Sequence, residues 1–335
     1  MPRFDDQPHC DCSFFVTKPM IDVPASTNGF ELVIASTSED LPSDFRLKLE
    51  RNLASNLPAD QALAEVSQLD ATTQTARRLH GITSRVRMAL PFRAVTPNVR
   101  AVVAALCESH RVDHAFMPVP TLRLRDYAVL AMDMDSTLIT IECIDELGDW
   151  CGRKAEIAAI TEAAMRGEIP DYAESLRRRV ALLAGLDARA LESVYAERLR
   201  LSPGAERLLH EAHCAGLKTL LVSGGFTFFT DRLRERLGLN FARSNQLEIL
   251  EGRITGRLLG PIIDAHAKAA ELERVCARIG VRVDRSIAIG DGANDLKMLG
   301  IAGLGVAYHA KPVVGMQAGI AIRYGGLDRL LDFLT

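Results

Sequence analysis

The apolar run Tyr127-Ala-Val-Leu-Ala-Met132 ends directly on Asp133-Met-Asp-Ser-Thr137, and this junction constrains the fold more than any other stretch of the chain. A short uninterrupted apolar segment fits a strand buried on both faces, as in a parallel sheet covered by helices. Ligands of open α/β sheets bind outside the carboxyl ends of such strands. Side chains at i and i+2 point to one side of an extended chain. Asp133 and Asp135 therefore converge where a ligand would lie.

From there the chain alternates. Buried-strand candidates over 218–222, 286–290 and 303–307 are interleaved with helical patterns over 204–215, 226–237, 265–279 and 294–299. The alternation predicts an α/β fold, a doubly wound parallel-sheet core over residues 121–335. The stretch 143–199 breaks it with helical patterns alone. It reads as a helical cap inserted after the first strand, of the kind that closes over a site and excludes water.

Ahead of the core, residues 29–120 read as a small α+β domain. Strands are expected over 29–36, 82–89 and 111–119. Helices are expected over 45–57, with Leu47, Leu49, Leu53 and Leu57 in register, and over 97–110, with Val99, Val102, Val103 and Leu106 inward. Residues 1–28, punctuated by Pro2, Pro8, Pro19 and Pro24, read as a loose arm. Its His9-Cys10-Asp11-Cys12 has no second ligand pair nearby, so it is assigned to that arm rather than to a metal site.

Composition bounds the partners. A net charge of -3 over 335 residues gives no reason to expect a nucleic acid. No apolar run reaches the ~18 residues of a membrane span. The seven cysteines are scattered, and the first residues carry acids where a signal peptide carries basic ones, so a cytoplasmic protein is expected.

Four elements carry chemistry. A carboxylate such as Asp133 or Asp135 can attack phosphorus or move a proton, although paired acids also cap turns. Ser223-Gly224-Gly225 follows the second core strand and is read as opening a helix, where free N–H groups attract phosphate. Taken in isolation it reads more readily as a plain strand-to-helix turn. Asp291, Asn294 and Asp295, after the third strand, suit a hard cation such as Mg²⁺, and they also suit an ordinary helix cap. Asn294 and Asp295 are expected to face one way, with Asp295 free to orient neighbours rather than bind metal. Lys268 lies on a mostly alanine helix, where lysine is commonly a solvated charge. Together the four supply the parts of phosphoryl transfer.

Asp133-Met-Asp-Ser-Thr137, Ser223-Gly-Gly225, Lys268 and Gly290-Asp-Gly-Ala-Asn-Asp295 resemble the four motifs of the haloacid dehalogenase superfamily of phosphatases. Residues 132–138, 141–147, 164–168, 175–180, 222–229 and 307–312 are similar to the branch of that superfamily that hydrolyses phosphoserine. The resemblance runs over about 122–335 and implies a Mg²⁺-dependent hydrolase for O-phosphoserine, acting in the last step of serine biosynthesis. Another small phosphomonoester, or transfer to an acceptor, stands as the alternative.

The resemblance also implies roles. Asp133 is the nucleophile and a metal contact. Asp135 is the general acid and base, with its carbonyl on one Mg²⁺, and Asp291 is the third metal contact. Ser223, Gly224, Gly225 and Lys268 hold the phosphoryl group, and Asn294 adds a polar contact. In the cap, Glu142 meets the substrate ammonium and Arg179 its carboxylate, while Met165 and Tyr172 line the pocket. Tyr172 stands where the family usually has Phe, and the loop before it is one residue longer than usual. Residues 29–120 are similar to ACT-like regulatory extensions, which implies a possible homodimer through that domain.

Overall fold

A computed structural model describes residues 29–36, 44–56, 72–78, 81–91, 95–120, 122–169 and 171–334. The arm over 1–28, His9 to Cys12 included, and Leu57 lie outside the described residues.

Strand β5 (Val129–Met132) is central, between β6 (Lys218–Phe226) and β9 (Ser286–Gly290), and parallel to both. β10 (Leu304–Tyr308) and β11 (Ile320–Ile322) extend the parallel set on one side and β7 (Phe241–Leu250) on the other; β8 (Arg253–Leu259) closes that edge antiparallel to β7.

All four residues of β5 are buried because both faces are covered. Leu130 and Met132 pack with α7 (Ala205–Cys214) and α8 (Thr227–Leu237), through Leu208, Leu209, Phe229 and Leu233. Val129 and Ala131 meet α9 (Ala265–Arg278), α10 (Leu296–Ile301) and α11 (Pro312–Gln317), through Leu272, Val275, Met298, Leu299 and Val314. The period-2 split of β5 between two apolar clusters is the doubly wound layering expected from the sequence.

Between β5 and α7 stand four consecutive α-helices: α3 (Cys143–Trp150), α4 (Lys154–Met165), α5 (Tyr172–Ala181) and α6 (Arg189–Ser193). An antiparallel bridge between Ile139 and Leu201 ties the two chain passages at their base. Leu147, Ile157, Leu176, Val180 and Leu183 are buried against the core, so one face of each major helix is fixed.

In the N-terminal segment β2 (Thr72–Arg78), β3 (Gly81–Pro91), β1 (Gly29–Ser36) and β4 (Asp113–Val119) pair antiparallel in that order. One face carries α1 (Phe45–Asn56) and α2 (Pro97–Ser109). The other, with Val33, Ala35, Ala115 and Met117, joins Leu330 and Phe333 of α12 (Leu330–Phe333) in the main core. β4 then pairs with β11 at His114 and Ala321, so one sheet of eleven strands runs through the described residues. Asp113, 2% exposed, secures the seam by accepting from the N–H groups of Arg323 at 2.7 Å, Tyr324 at 3.1 Å and Gly325 at 2.8 Å.

Two helix registers differ from the sequence reading. In α1 the inward stripe is Phe45, Leu49 and Leu53, spaced i, i+4, i+8, while Leu47 is 58% exposed. In α2 Val99, Val103 and Cys107 are buried, and Val102 and Leu106 are half-buried. Both follow from the 3.6-residue period, which carries a leucine two positions off the stripe to the other side. Among the described residues no helix is long and apolar enough to cross a membrane.

Candidate active site

β5 ends at Met132, and Asp133 continues extended into the crevice. Its Oδ1 accepts from Met134 N–H at 2.7 Å and lies 2.8 Å from Lys268 Nζ. The chain then doubles back: Ser136 adopts φ 55, a left-handed backbone that costs a non-glycine residue about 1–2 kcal/mol. The turn lets Ser136 Oγ donate to Glu142 Oε1 at 2.6 Å. It also lets Asp135 Oδ1 accept from Cys143 N–H at 3.0 Å, an amide of the first turn of α3 that lacks an intrahelical partner.

Lys268 reaches the same point from α9, whose start is fixed by Asp264 accepting from Ala267 N–H at 2.8 Å. It is not a surface charge. It is fully buried between Asp133 and Asp295, with 2.7 Å to Asp295 Oδ1. Asp295 Oδ2 accepts from Gly292 N–H at 3.0 Å. Asn294 and Asp295 thus do not face one way, contrary to the sequence reading. They sit in a tight 3₁₀ turn, where consecutive side chains diverge, so Asn294 lines the cavity and Asp295 lies beneath it. Asp291 Oδ1 accepts from Thr137 Oγ1 at 2.9 Å.

Ser223-Gly224-Gly225 does not open a helix either. β6 continues to Phe226, with a register shift against β7 between Val222 and Phe226, and α8 begins at Thr227. Gly225 N–H donates to Ser223 Oγ at 2.8 Å. Asn245 of β7 donates from Nδ2 to Gly224 O at 2.8 Å and accepts from Ile263 N–H at 2.8 Å, which pins the peptide. A side chain at either position would displace a group of the site. A Cβ on Gly224 would overlap the Tyr172 hydroxyl, and one on Gly225 would lie 2.6 Å from Asp135 Oδ2.

Burial and crowding of like charges set the protonation. Burial and the Asp295 charge hold the Asp133 carboxyl well above the usual carboxylate range, with Lys268 opposing. Burial pushes Asp135 up to about 6, and burial followed by the Asp295 charge does the same for Asp291. Lys268 is raised as well, but against its burial: burial disfavours its ammonium, and the Asp133 and Asp295 carboxylates outweigh that. Oxygens of Asp133, Asp291 and Asp295 lie within 4.8 Å of one another. Hard oxygen ligands at that spacing, with one ammonium among them, fit a small divalent cation.

Over this floor lies a cavity of about 810 Å³, roofed by the cap. Asp133, Asp135, Ser223, Gly224, Gly225, Asp291 and Asn294 line its lower side; Glu142, Met165, Tyr172 and Arg179 line its upper side. The residues singled out from the core and cap sequence therefore meet at one cavity, with Lys268 and Asp295 buried beneath it. Glu142 is open to the cavity yet hemmed in by protein, and that burial, with the Asp135 charge, pushes it up to about 7. Burial pushes the Tyr172 phenol up to about 12. Arg179 Nε is 3.4 Å from Ser175 O, one turn back on α5.

Sequence reasoning missed four supporting residues: Thr137, Ser136, Asn245 and Asp145, the last of which also lines the cavity beside Arg179. Asp145 could have been found, since it is three residues past Glu142 and so on the same helical face. Asn245 could not, because β7 gave no strand pattern to place it.

The geometry agrees with what the chain resembles. The model of the haloacid dehalogenase-like hydrolases matches residues 130–300. A phosphoserine phosphatase of Polaromonas sp. is 58% identical over 219 residues, covering 64% of this chain and 93% of that protein. A phosphoserine phosphatase of Streptomyces coelicolor is 40% identical over 305 residues, covering 90% of this chain and 74% of that one. A crystal structure of a haloacid dehalogenase family hydrolase from Salmonella enterica serovar Typhi superposes with a TM-score of 0.79 at 32% identity, covering 91% of this chain and 98% of that one. With its strand-end carboxylates, buried lysine and helical roof over a matched core, the chain belongs to the haloacid dehalogenase-like hydrolase family.

Proposed function

We propose that the chain is a phosphoserine phosphatase, which hydrolyses O-phospho-L-serine to L-serine and phosphate through an aspartyl-phosphate on Asp133. The observation that carries this reading is one cavity with phosphoryl chemistry at its floor and a separated acid and guanidinium, Glu142 and Arg179, at its roof. A zwitterionic amino acid with a phosphorylated side chain requires that combination, and a guanidinium forks onto a carboxylate.

The chain's own groups account for the steps. Asp133 attacks phosphorus, forming an acyl-phosphate bond as the bond from phosphorus to the serine oxygen breaks. Asp135, raised to about 6, gives its proton to the departing oxygen. It then takes a proton from water as that water attacks phosphorus; the bond to Asp133 breaks and phosphate leaves. Ser223 and the peptides of Gly224 and Gly225 hold the phosphoryl oxygens, and Asn294 adds a polar contact. Lys268 offsets the repulsion between an anionic nucleophile and an anionic phosphate. Asp133 and Asp291, with the carbonyl of Asp135, would hold one Mg²⁺, while Asp295 is engaged by Lys268 and Gly292. Bound there, Mg²⁺ would neutralise charge on the phosphoryl oxygens.

On the same reading the enzyme works in the cytoplasm, and residues 29–120 form an ACT-like domain through which a homodimer would assemble. The test of function is phosphate release from O-phospho-L-serine, O-phosphothreonine and sugar phosphates, with Mg²⁺ and with EDTA. Preference for phosphoserine that EDTA abolishes is expected; equal rates on all three would reject the serine-specific reading.

A further inference from the structure

We propose that the Tyr172 hydroxyl donates a hydrogen bond to the phosphoryl group of the bound substrate, so that the roof as well as the floor grips phosphate. The inference rests on the phosphatase reading above and adds a donor to it. Three observations carry it.

The first is position. Tyr172 opens α5, where Asp171 accepts from Ala173 N–H at 3.0 Å and fixes the start of the helix. From there the ring reaches down from the cap until its hydroxyl lies against Gly224, so closely that a Cβ on Gly224 would overlap it. The hydroxyl is thus at the Ser223-Gly224-Gly225 end of the cavity, not at the outer rim where Met165 stands 58% exposed.

The second is electrostatic company. Of the two cations that act on the phenol, Lys268 outweighs Arg179, and the two nearby carboxylates are Asp133 and Asp135. Tyr172 shares the lining of the cavity with Asp133, Asp135 and Ser223.

The third is an available proton. Among the described residues the hydroxyl donates to no backbone or side-chain acceptor, whereas Ser136, Thr137 and Thr230 each have one. The phenol stays protonated at neutral pH and has a hydrogen to give. The three terminal oxygens of a phosphoryl group offer more acceptor sites than Ser223, the Gly224 and Gly225 peptides, Lys268 and Asn294 fill, and a donor from the cap would join closure of the roof to occupancy of the floor.

The test is Tyr172→Phe, which keeps the ring and removes only the hydroxyl, studied in the full-length protein with Mg²⁺. Binding of inorganic phosphate and of L-serine is measured separately by calorimetry. Phosphate affinity is expected to fall about tenfold, as for a lost hydrogen bond to a charged group, with serine affinity within about twofold. Tyr172→Met, which keeps bulk without a donor, should lose phosphate affinity equally. Unchanged phosphate affinity in both variants, or a loss confined to serine, would overturn the proposal. Wild-type protein that binds phosphate but does not turn over phosphoserine would refute the substrate reading and leave this comparison intact.

Discussion

Lys268, under the floor of the cavity, has no solvent exposure and two carboxylate partners, whereas Met165, on its roof, is 58% exposed. The contrast extends to their neighbours. The floor is assembled from the ends of β5, β6 and β9 and from α9, elements distant in sequence and locked by bonds of 2.7–3.0 Å among Asp133, Lys268, Asp295 and Gly292. The roof comes from α3, α4 and α5, close in sequence, and its polar groups Glu142 and Arg179 are bonded to near neighbours, Ser136 and Ser175. The floor is a preorganised electrostatic machine whose parts lose together. In the roof, by contrast, Glu142 and Arg179 take part in none of the bonds that lock Asp133, Lys268, Asp295 and Gly292 together, so either can be changed without unlocking the floor.

The largest expected effect is on the floor. Asp133→Asn should lower kcat by at least about 10⁴-fold on every phosphomonoester, as loss of a nucleophile does. Rapid-quench detection of any aspartyl-phosphate in the variant would break the assignment. Next is Lys268→Ala, which leaves Asp133 and Asp295 facing each other without their cation. Breaking a buried pair in this way costs about 3–5 kcal/mol, readable as a lower denaturation midpoint. An unshifted midpoint would contradict a locked floor.

Arg179→Ala tests the roof. It should raise KM for phosphoserine about 100-fold, the scale of a truncated buried charge contact, and leave p-nitrophenyl phosphate turnover within about twofold. Equal losses on both substrates would show that roof and floor are not separable. A smaller effect is expected for Asn245→Ala, which leaves Gly224 O and Ile263 N–H without a partner and should cost about 1–3 kcal/mol of stability in a denaturant titration, with kcat reduced more than KM is raised.

The smallest effect is a pH dependence. Glu142 is raised from 4.5 to about 7 in the folded chain, so folding binds its proton more tightly. Its contribution to stability is complete below 4.5 and is lost as pH rises through about 7. Glu142→Gln should therefore flatten the fall in denaturation midpoint between pH 5 and 8. On the proposed reading the sign for binding is opposite: there an ionised Glu142 would meet the ammonium, so kcat/KM for phosphoserine should decline as pH drops through about 7, and a p-nitrophenyl phosphate profile without that limb would tie it to the roof.

Legibility in the sequence followed the same division. β5 was readable because burial on both faces leaves an unbroken apolar run, and the helices of the core and cap because one face of each is apolar. β2, Thr-Thr-Gln-Thr-Ala-Arg-Arg, was not, since its place depends on backbone pairing with β3 rather than on any apolar pattern. β7 and β8 were missed for a related reason. They form an edge hairpin with Ile249, Leu250 and Leu259 partly exposed, so period and burial disagree there. Asp133, Ser223, Lys268 and Asp291 could be singled out because strand-end acids, glycines and a cation are types that phosphate chemistry needs.

Residue types and the periods of apolar positions, which are local properties, thus determined by themselves the core strands β5, β6, β9 and β10 with the helices between them, the inserted cap and the set of polar groups suited to phosphate. Tertiary structure decided what depends on distance between remote segments. It turned Lys268 inward to two carboxylates, separated Asn294 from its neighbour Asp295, set Asn245 behind Gly224 and brought the Tyr172 hydroxyl down onto the same glycine. It also joined the N-terminal strands to the core sheet through a single pairing at His114 and Ala321. Each of these outcomes is fixed by desolvation and close packing across the fold, which no window of neighbouring residues contains.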